Sequence, residues 1–469
     1  MKRFFKPCLL LMAAATLLSS CLKSTDDETV YNDDTAIITF SVGTLKQQVV
    51  GKDRQGNDSL YWADKNCSGY KFLIDQAGRQ IYNADSLPYG IDPTRVVCTV
   101  MAKNAGVVYR MNAADGSQTL YSAKDTFDLS GPQVFRVYSQ RGDIYRDYTV
   151  KLNIHQQIGD EFKWGRLTTN SVIGALQGMK AVELGHTVYL FGSNGSQTKV
   201  MTTDRNDGKN WVSQTITLDA GAWQNVAMKD GLLFVLDGTT LRQYNGTTWS
   251  VANSSTPISR LIGASESRLY GYNAGGQMLG SADNGKTWTA ETTDNASHAL
   301  PGSNVNFIVT PLITNDNISQ LLLIGNEGTG AGSAVTIWGK IEEQQTGSEQ
   351  APWNYFEVSS SRQHLLPPMQ SLQVVCFQGT LIALGGDRLD TATDEGFTAF
   401  YTSVDKGISW KTDAKTYLVP DGFSSASNAF TMLLDSDNFL WLICGESGQV
   451  WKGRQNRMGW TENQKVFNE

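Results

Sequence analysis

Ser281, Asp283, Gly285, Thr287 and Trp288 lie within one octet, SADNGKTW, and the same pattern returns in SVDKGISW as Ser403, Asp405, Gly407, Ser409 and Trp410. A carboxylate between two hydroxyls is raw material for acid–base or nucleophilic chemistry. The spacing argues instead for construction. An Asp at a turn accepts backbone N–H groups, as Asx turns do. A Gly two residues later tolerates the positive φ that other residues resist. The Trp three residues beyond returns on the next strand, where its ring is expected to pack against a neighbouring sheet. The octet thus reads as a self-fastening hairpin whose Asp is committed to its own turn. A stretched version keeps Thr202, Asp204, Gly208 and Trp211, and a reduced one keeps Gly246, Thr248 and Trp249.

Other constellations fall short of a reaction. G-x-S-x-G is absent, and His155, His186, His298 and His364 are scattered among linker and turn contexts. Neither H-x-x-x-H nor CxxC spacing occurs, so no metal site is expected. Asp435-Ser436-Asp437-Asn438 with Glu446 imitates the ends of a calcium loop, but Phe439 and Leu440 stand where an oxygen ligand and Gly are needed. The glycine-rich segment 325–332 is followed by the strand pattern SAVTIWG and by no helix, so no helix N-terminus faces a phosphate. The sequence therefore offers no catalytic residues, no metal ligands and no cofactor motif. Arg260, Arg268, Arg362, Arg388 and Arg454 carry no signature and read as solvated. The candidate ligand contacts are Trp223, in the turn-like AGAWQN, and Asp387, Arg388 and Asp390, in the acidic insertion 385–396. Trp62, beside Tyr61, is placed similarly.

The elements that must position these residues are strands. Aromatics make up 10% of the chain, charged residues only 18%, and 45 Gly stand against 11 Pro, a balance that suits packed, turn-rich β structure. Residues 36–155 read as short strands ending in a hairpin around Gln140-Arg141-Gly142-Asp143, the arithmetic of an immunoglobulin-like β-sandwich without its Cys…Trp…Cys pattern. A linker at His155–Asp160 follows. From 160 to 469 one unit repeats: three strands, a Gly turn and a Trp. Its first strands begin near 179, 225, 261, 306, 372 and 428, and the closing tryptophans include Trp353 and Trp460. Repeats of ~40–50 residues with four strands each are the mark of a β-propeller. The expected fold is all-β, a sandwich followed by a six-bladed propeller. Seven blades stay open, because residues 162–170 supply either an extra or a closing strand.

The octets resemble the Asp box, the S-x-D-x-G-x-[ST]-W hairpin of sialidase-like propellers. That resemblance covers about residues 160–469 and brings sialidase chemistry to mind. The F/Y-R-I-P motif that carries the first substrate-binding arginine in those enzymes is missing.

The chain begins with a basic stretch to Lys6, an apolar run from Leu9 to Leu18, and the small-residue exit Leu18-Ser19-Ser20-Cys21. Residues 1–20 are identified as a lipoprotein leader, resembling those with a bacterial lipobox, and Cys21 as the lipidated first residue. Residues 21–35 form an acidic tether like that of Bacteroidetes-type surface lipoproteins. Loss of Lys2, Arg3 and Lys6 with the leader moves the formal net charge from −7 to −10, which argues against nucleic acid as a partner. Of the remaining cysteines, Cys67 and Cys98 share the first domain and are the pair an oxidising compartment could bond, while Cys376 and Cys444 sit in apolar runs as buried thiols. The expectation is an outer-membrane lipoprotein exposed at the cell surface, held by its N-terminal lipid. It recognises a glycan or a protein through the propeller without catalysis. A glycosidase with unfamiliar residues and a scaffold subunit of an envelope complex are the alternatives.

Overall fold

Some strands alternate apolar and polar residues and others are continuous apolar runs, and in the computed structural model they fold into two units that divide between Ile158 and Gly159. The structure describes residues 31–457 except 56–57, 160, 296, 313, 345–349, 358–363, 392–395, 413–416 and 426–428. The leader, Cys21, most of the tether, Arg362 and Trp460 lie outside the described residues.

In the first unit a six-stranded sheet runs in the order Phe72–Asp75, Gln80–Asn83, Tyr145–Lys151, Gln133–Tyr138, Val108–Met111, Gln118–Leu120. Its pairings are antiparallel except that between Gln80–Asn83 and Tyr145–Lys151. The strand Ile37–Val42 pairs with Cys98–Ala102, and Thr44–Lys52 pairs with Asp58–Asn66 as a long hairpin. Phe40, Ile81, Phe135, Val137, Tyr148 and Val150 share one core. Period-two alternation creates it: Tyr148 and Val150 are buried while Thr149 and Lys151 face water. Cys67 and Cys98, whose bonding the sequence left open, are both buried here as separate thiols. Burial pushes the Cys98 thiol up to about 12, because an apolar surround disfavours the thiolate. Cys444 is buried as expected, whereas Cys376 is only partly covered.

The second unit contains six antiparallel sheets among the described residues. In chain order their inner strands are Gly178–Leu184, Val226–Lys229, Arg260–Ala264, Ser303–Leu312, Gln373–Phe377 and Phe430–Leu434. Each of the first five sheets is a four-stranded meander, the first with an added short strand, Leu218–Asp219. The sixth takes its outermost strand, Phe162–Thr169, from the start of the unit and pairs it with Gln449–Gln455 from the end. The inner strands neighbour one another in a closed cycle, the sixth lying against the first. Apolar side chains fill the seams between adjacent sheets, as where Leu241, Ile258, Leu261 and Leu269 meet.

Polar side chains stitch those seams near the axis. Asn225 Oδ1 accepts from Leu261 N at 3.0 Å, Asn306 Oδ1 from Val374 N at 2.9 Å, and Thr431 Oγ1 from Ala181 N at 3.1 Å. The seam between the first and sixth sheets also carries charge. Arg205 Nη1 stands 2.7 Å from Glu183 Oε1 and its Nε 3.1 Å from Asp437 Oδ2, with the Arg205 side chain almost fully covered. Lys452 bonds Asp435 Oδ2 at 2.9 Å beside it. Breaking a covered pair of this kind leaves an uncompensated charge, so the seam is held by more than apolar contact.

Candidate ligand-binding site

The octets come first, because their residues offered the most obvious chemistry. Asp283 Oδ1 accepts from Ser281 Oγ at 2.9 Å and from Thr287 N at 2.8 Å, and Oδ2 accepts from Thr287 Oγ1 at 2.7 Å. Ser281 Oγ in turn accepts from Gly285 N at 2.8 Å, and Trp288 Nε1 donates to Gly285 O at 3.0 Å. Every bond has a counterpart around Ser403, Asp405, Gly407, Ser409 and Trp410. Burial raises the Asp283 and Asp405 carboxyls, but the hydrogen bonds from their own hairpins outweigh it and hold both below the usual carboxylate value. Gly285 has φ 86°, and a Cβ there would stand 2.1 Å from Leu241 Cδ2 of the preceding sheet. The turn is thus pressed onto its neighbour, and both carboxylates are spent within their own loops. Trp410 is buried between the fourth and fifth sheets, whereas Trp288 stays half-buried.

The stretched version uses different residues from those its letters suggest. Asp204 Oδ1 accepts from Asn206 N, but Asp207 Oδ2 takes the bond from Asn210 N at 2.9 Å. The Trp211 Nε1 bond to Gly208 O survives at 3.2 Å, so the two-residue insertion moves the carboxylate role and keeps the Trp anchor. The calcium-loop imitation is a closed turn as well. Asp435 accepts from Asp437 N, Phe439 N and Trp441 Nε1. Among the described residues no group of three His, Cys, Asp or Glu is placed to hold a metal.

Around the axis the arrangement differs. A cavity of about 570 Å³ lies where the inner strands begin, within the ordinary range for small-ligand sites. Lys180 of the first inner strand and Arg260 of the third line it, and no Asp or Glu does so among the described residues. Lys180 Nζ donates to Val226 O at 2.7 Å and Arg260 Nη1 to Gly302 O at 2.7 Å, each reaching a neutral carbonyl on the next sheet. Burial, reinforced by the charge of Arg260, pushes the Lys180 ammonium down to about 8. Burial lowers the Arg260 guanidinium, partly opposed by Tyr272. The Gln224 and Gln373 amides and the indole of Trp223 complete the part of the lining suited to a ligand. Trp223 owes its place to Gly178, where a Cβ would come within 2.4 Å of the ring. The hydroxyls at the cavity, such as Ser303 and Thr431, have no His among the described lining residues to activate them.

The cavity brings together some of the expected contacts. Trp223 lines it, and so does Thr329 from the glycine-rich segment. Asp387, Arg388 and Asp390 are not among its lining residues. Arg388 instead grips Asp390 through paired bonds of 2.9 Å, and its backbone bridges Met369. The ion pair closes locally because the two side chains are only two residues apart. Trp62 is exposed on the long hairpin of the first unit. Lys180 escaped notice and Arg260 read as solvated. The available signal was positional: each is a cation at the start of a repeat's first strand, a register otherwise given to apolar or small polar residues.

A scan against family models matches residues 158–463 to the DUF6242 beta propeller domain and residues 40–152 to the DUF6242 N-terminal domain. No match was found among curated proteins. Solved structures similar to the chain include YCF48 bound to D1 peptide, 17% identical, covering 63% of this chain and 97% of that one at a TM-score of 0.37. The iodide structure of Trichoderma reesei Carbohydrate-Active Enzymes Family AA12 is 11% identical, with coverage of 64% and 97% and a TM-score of 0.40. An Aleuria aurantia lectin mutant in complex with alpha-methyl-L-fucoside is 9% identical, with coverage of 68% and 98% and a TM-score of 0.33. Likenesses of this size carry no argument about what the chain binds.

Proposed function

The chain belongs to the DUF6242 beta propeller family, and on that premise we propose that it is a lipid-anchored recognition protein of the outer cell surface, binding a glycan or protein ligand at the axial cavity without catalysis. The observation that carries the reading is the cavity itself, an aromatic ring and unspent amides gathered where six inner strands begin. Flat rings and convergent polar groups in a concave site are what recognition needs. The ring is taken as six-bladed, on the support of six sheets in a closed cycle and an end strand that returns to the last sheet. The first unit is taken as an immunoglobulin-like sandwich, on the support of its antiparallel sheets around one core. The octets are taken as Asp boxes, on the support of two hairpins with the same bonds. The address rests on the leader and Cys21, which precede the acidic stretch Asp26-Asp27-Glu28.

The competing glycosidase reading asks for two carboxylates ~5–10 Å apart at the bond to be broken. The described cavity lining provides none, so recognition is preferred. Screening residues 22–469, the chain without its leader and lipidated cysteine, against glycans and outer-membrane proteins tests the proposal. A hit that Trp223→Ala weakens about tenfold, in a variant that melts normally, is the expected result. A full screen without a hit, or release of sugar from any glycan, would overturn it. For the address, Cys21→Ala is expected to move the protein from the membrane fraction to the soluble one.

A further inference from the structure

We infer that the axial cavity takes the carboxylate of an acidic sugar of the uronate class, held between Lys180 and Arg260. The inference rests on the recognition reading above and adds the charge and chemical class of the ligand. The chain has 46 Asp and Glu residues, yet none lines the cavity among the described residues, while two cations do. Covered charges are ordinarily paired, because taking an ion out of water without a counter-charge is costly. Three covered cations elsewhere in the same domain follow it: Arg205 meets Glu183 and Asp437, Lys340 meets Glu291, and Lys452 meets Asp435. Lys180 and Arg260, half-buried at the cavity wall, have only carbonyl partners among the described residues. An anionic ligand supplies what they lack.

Geometry narrows the class. Arg260 uses Nη1 on Gly302 O, and its Nε–Nη2 edge has no partner among the described residues. Such an edge is the donor pair that matches a planar carboxylate bidentately. Lys180 keeps two donors beyond the one given to Val226 O. The Gln224 and Gln373 amides have no hydrogen bond among the described residues and are suited to sugar hydroxyls. Trp223 offers an aromatic surface to the ring. The volume of about 570 Å³ accommodates one or two sugar rings.

The ionisable groups that face Lys180 are Arg260 across the cavity and, next to Arg260, Tyr272; no Asp or Glu joins them among the described lining residues. An ammonium pushed down to about 8 loses its charge above that value, so anion affinity is expected to fall as pH rises from 7 to 9. The test is calorimetric titration of residues 22–469 with glucuronate, glucose and acetate at pH 7. Glucuronate is expected to bind at least tenfold more tightly than either other probe. Lys180→Met and Arg260→Met are each expected to lose tenfold or more, Lys180→Arg to stay within a few-fold, and all four proteins to melt cooperatively. Absence of glucuronate binding, or glucose binding equally well, overturns the inference. Acetate equal to glucuronate overturns the sugar part and keeps the carboxylate. Should a glycan found by screening depend on Trp223 but not on Lys180 or Arg260, the inference fails while the recognition reading stands. Should glucuronate bind through Lys180 while the screen finds no macromolecular partner, the recognition reading is the one that fails.

Discussion

The hairpin octets and the axial cavity treat charge in opposite ways. Asp283 spends both oxygens on three donors within five residues of itself. Lys180 and Arg260, drawn from sheets 80 residues apart in sequence, receive one neutral carbonyl each. A polar group satisfied by its own loop is finished as structure and has nothing left to offer a ligand. A half-buried cation with no counter-ion among the described residues is a cost that the fold carries, and such residues are where function is sought. The residue types that look most like chemistry in this sequence are therefore its fasteners, and the quieter cations are its candidates for recognition.

Removing a fastener's buried anchor should have the largest effect. Trp410→Ala is expected to cost about 3–5 kcal/mol of unfolding free energy in a denaturant titration, as truncation of a fully packed aromatic does. The half-buried Trp288 should cost clearly less, and an equal loss would mean that burial does not separate the two hairpins. On the other side of the comparison, Lys180→Met is expected to stabilise the protein by up to about 3 kcal/mol at pH 7. The folded-state value near 8 lies below the ordinary 10.5. Between those values the unfolded chain holds a proton that the folded chain has released. Stability should therefore climb with pH across that window in the native sequence and flatten in the variant. A destabilised Lys180→Met would make the cation a structural strut and remove the contrast.

Smaller effects test the octet carboxylates. Asp283→Ala removes the acceptor for three bonds in a partly exposed turn and should cost about 1–2 kcal/mol in thermal or chemical unfolding, with Asp283→Asn in between. Acid provides the mildest probe. Both octet carboxyls are held below the ordinary 3.8. Their contribution is present above that value and is lost as pH falls below it, a loss of about 1 kcal/mol or less for each. The double Asp283→Asn, Asp405→Asn variant should flatten that acid limb. An unchanged limb would show that the two carboxylates do not govern it.

Much of this architecture was legible one strand at a time. First strands expected near 179, 225 and 261 begin at Gly178, Val226 and Arg260, because apolar alternation followed by a Gly turn is a local signal. The fourth starts three residues early, at Ser303, since Asn304 and Asn306 are polar residues kept in the strand by seam bonds. The hairpin Thr44–Lys52 with Asp58–Asn66 escaped, its residues Lys46, Gln47 and Gln48 lacking the apolar face by which strands are read. The octet bonds were foreseeable because they span four residues or fewer. The shift from Asp204 to Asp207 was not, because which carboxylate reaches Asn210 N depends on how the inserted residues turn.

The amino-acid order alone determined the strands, the Trp-anchored hairpins and the repeat, since each depends on contacts between residues close along the chain. Tertiary structure decided which residues meet at the axis. Lys180 and Arg260 come from the first and third sheets and Trp223 from the short helical turn Ala222–Gln224 that precedes the second, and only the side-by-side packing of those sheets places them around one cavity. The pairing of charge is likewise a property of closure, because whether a cation finds a carboxylate depends on the neighbouring sheet and not on the residues beside it.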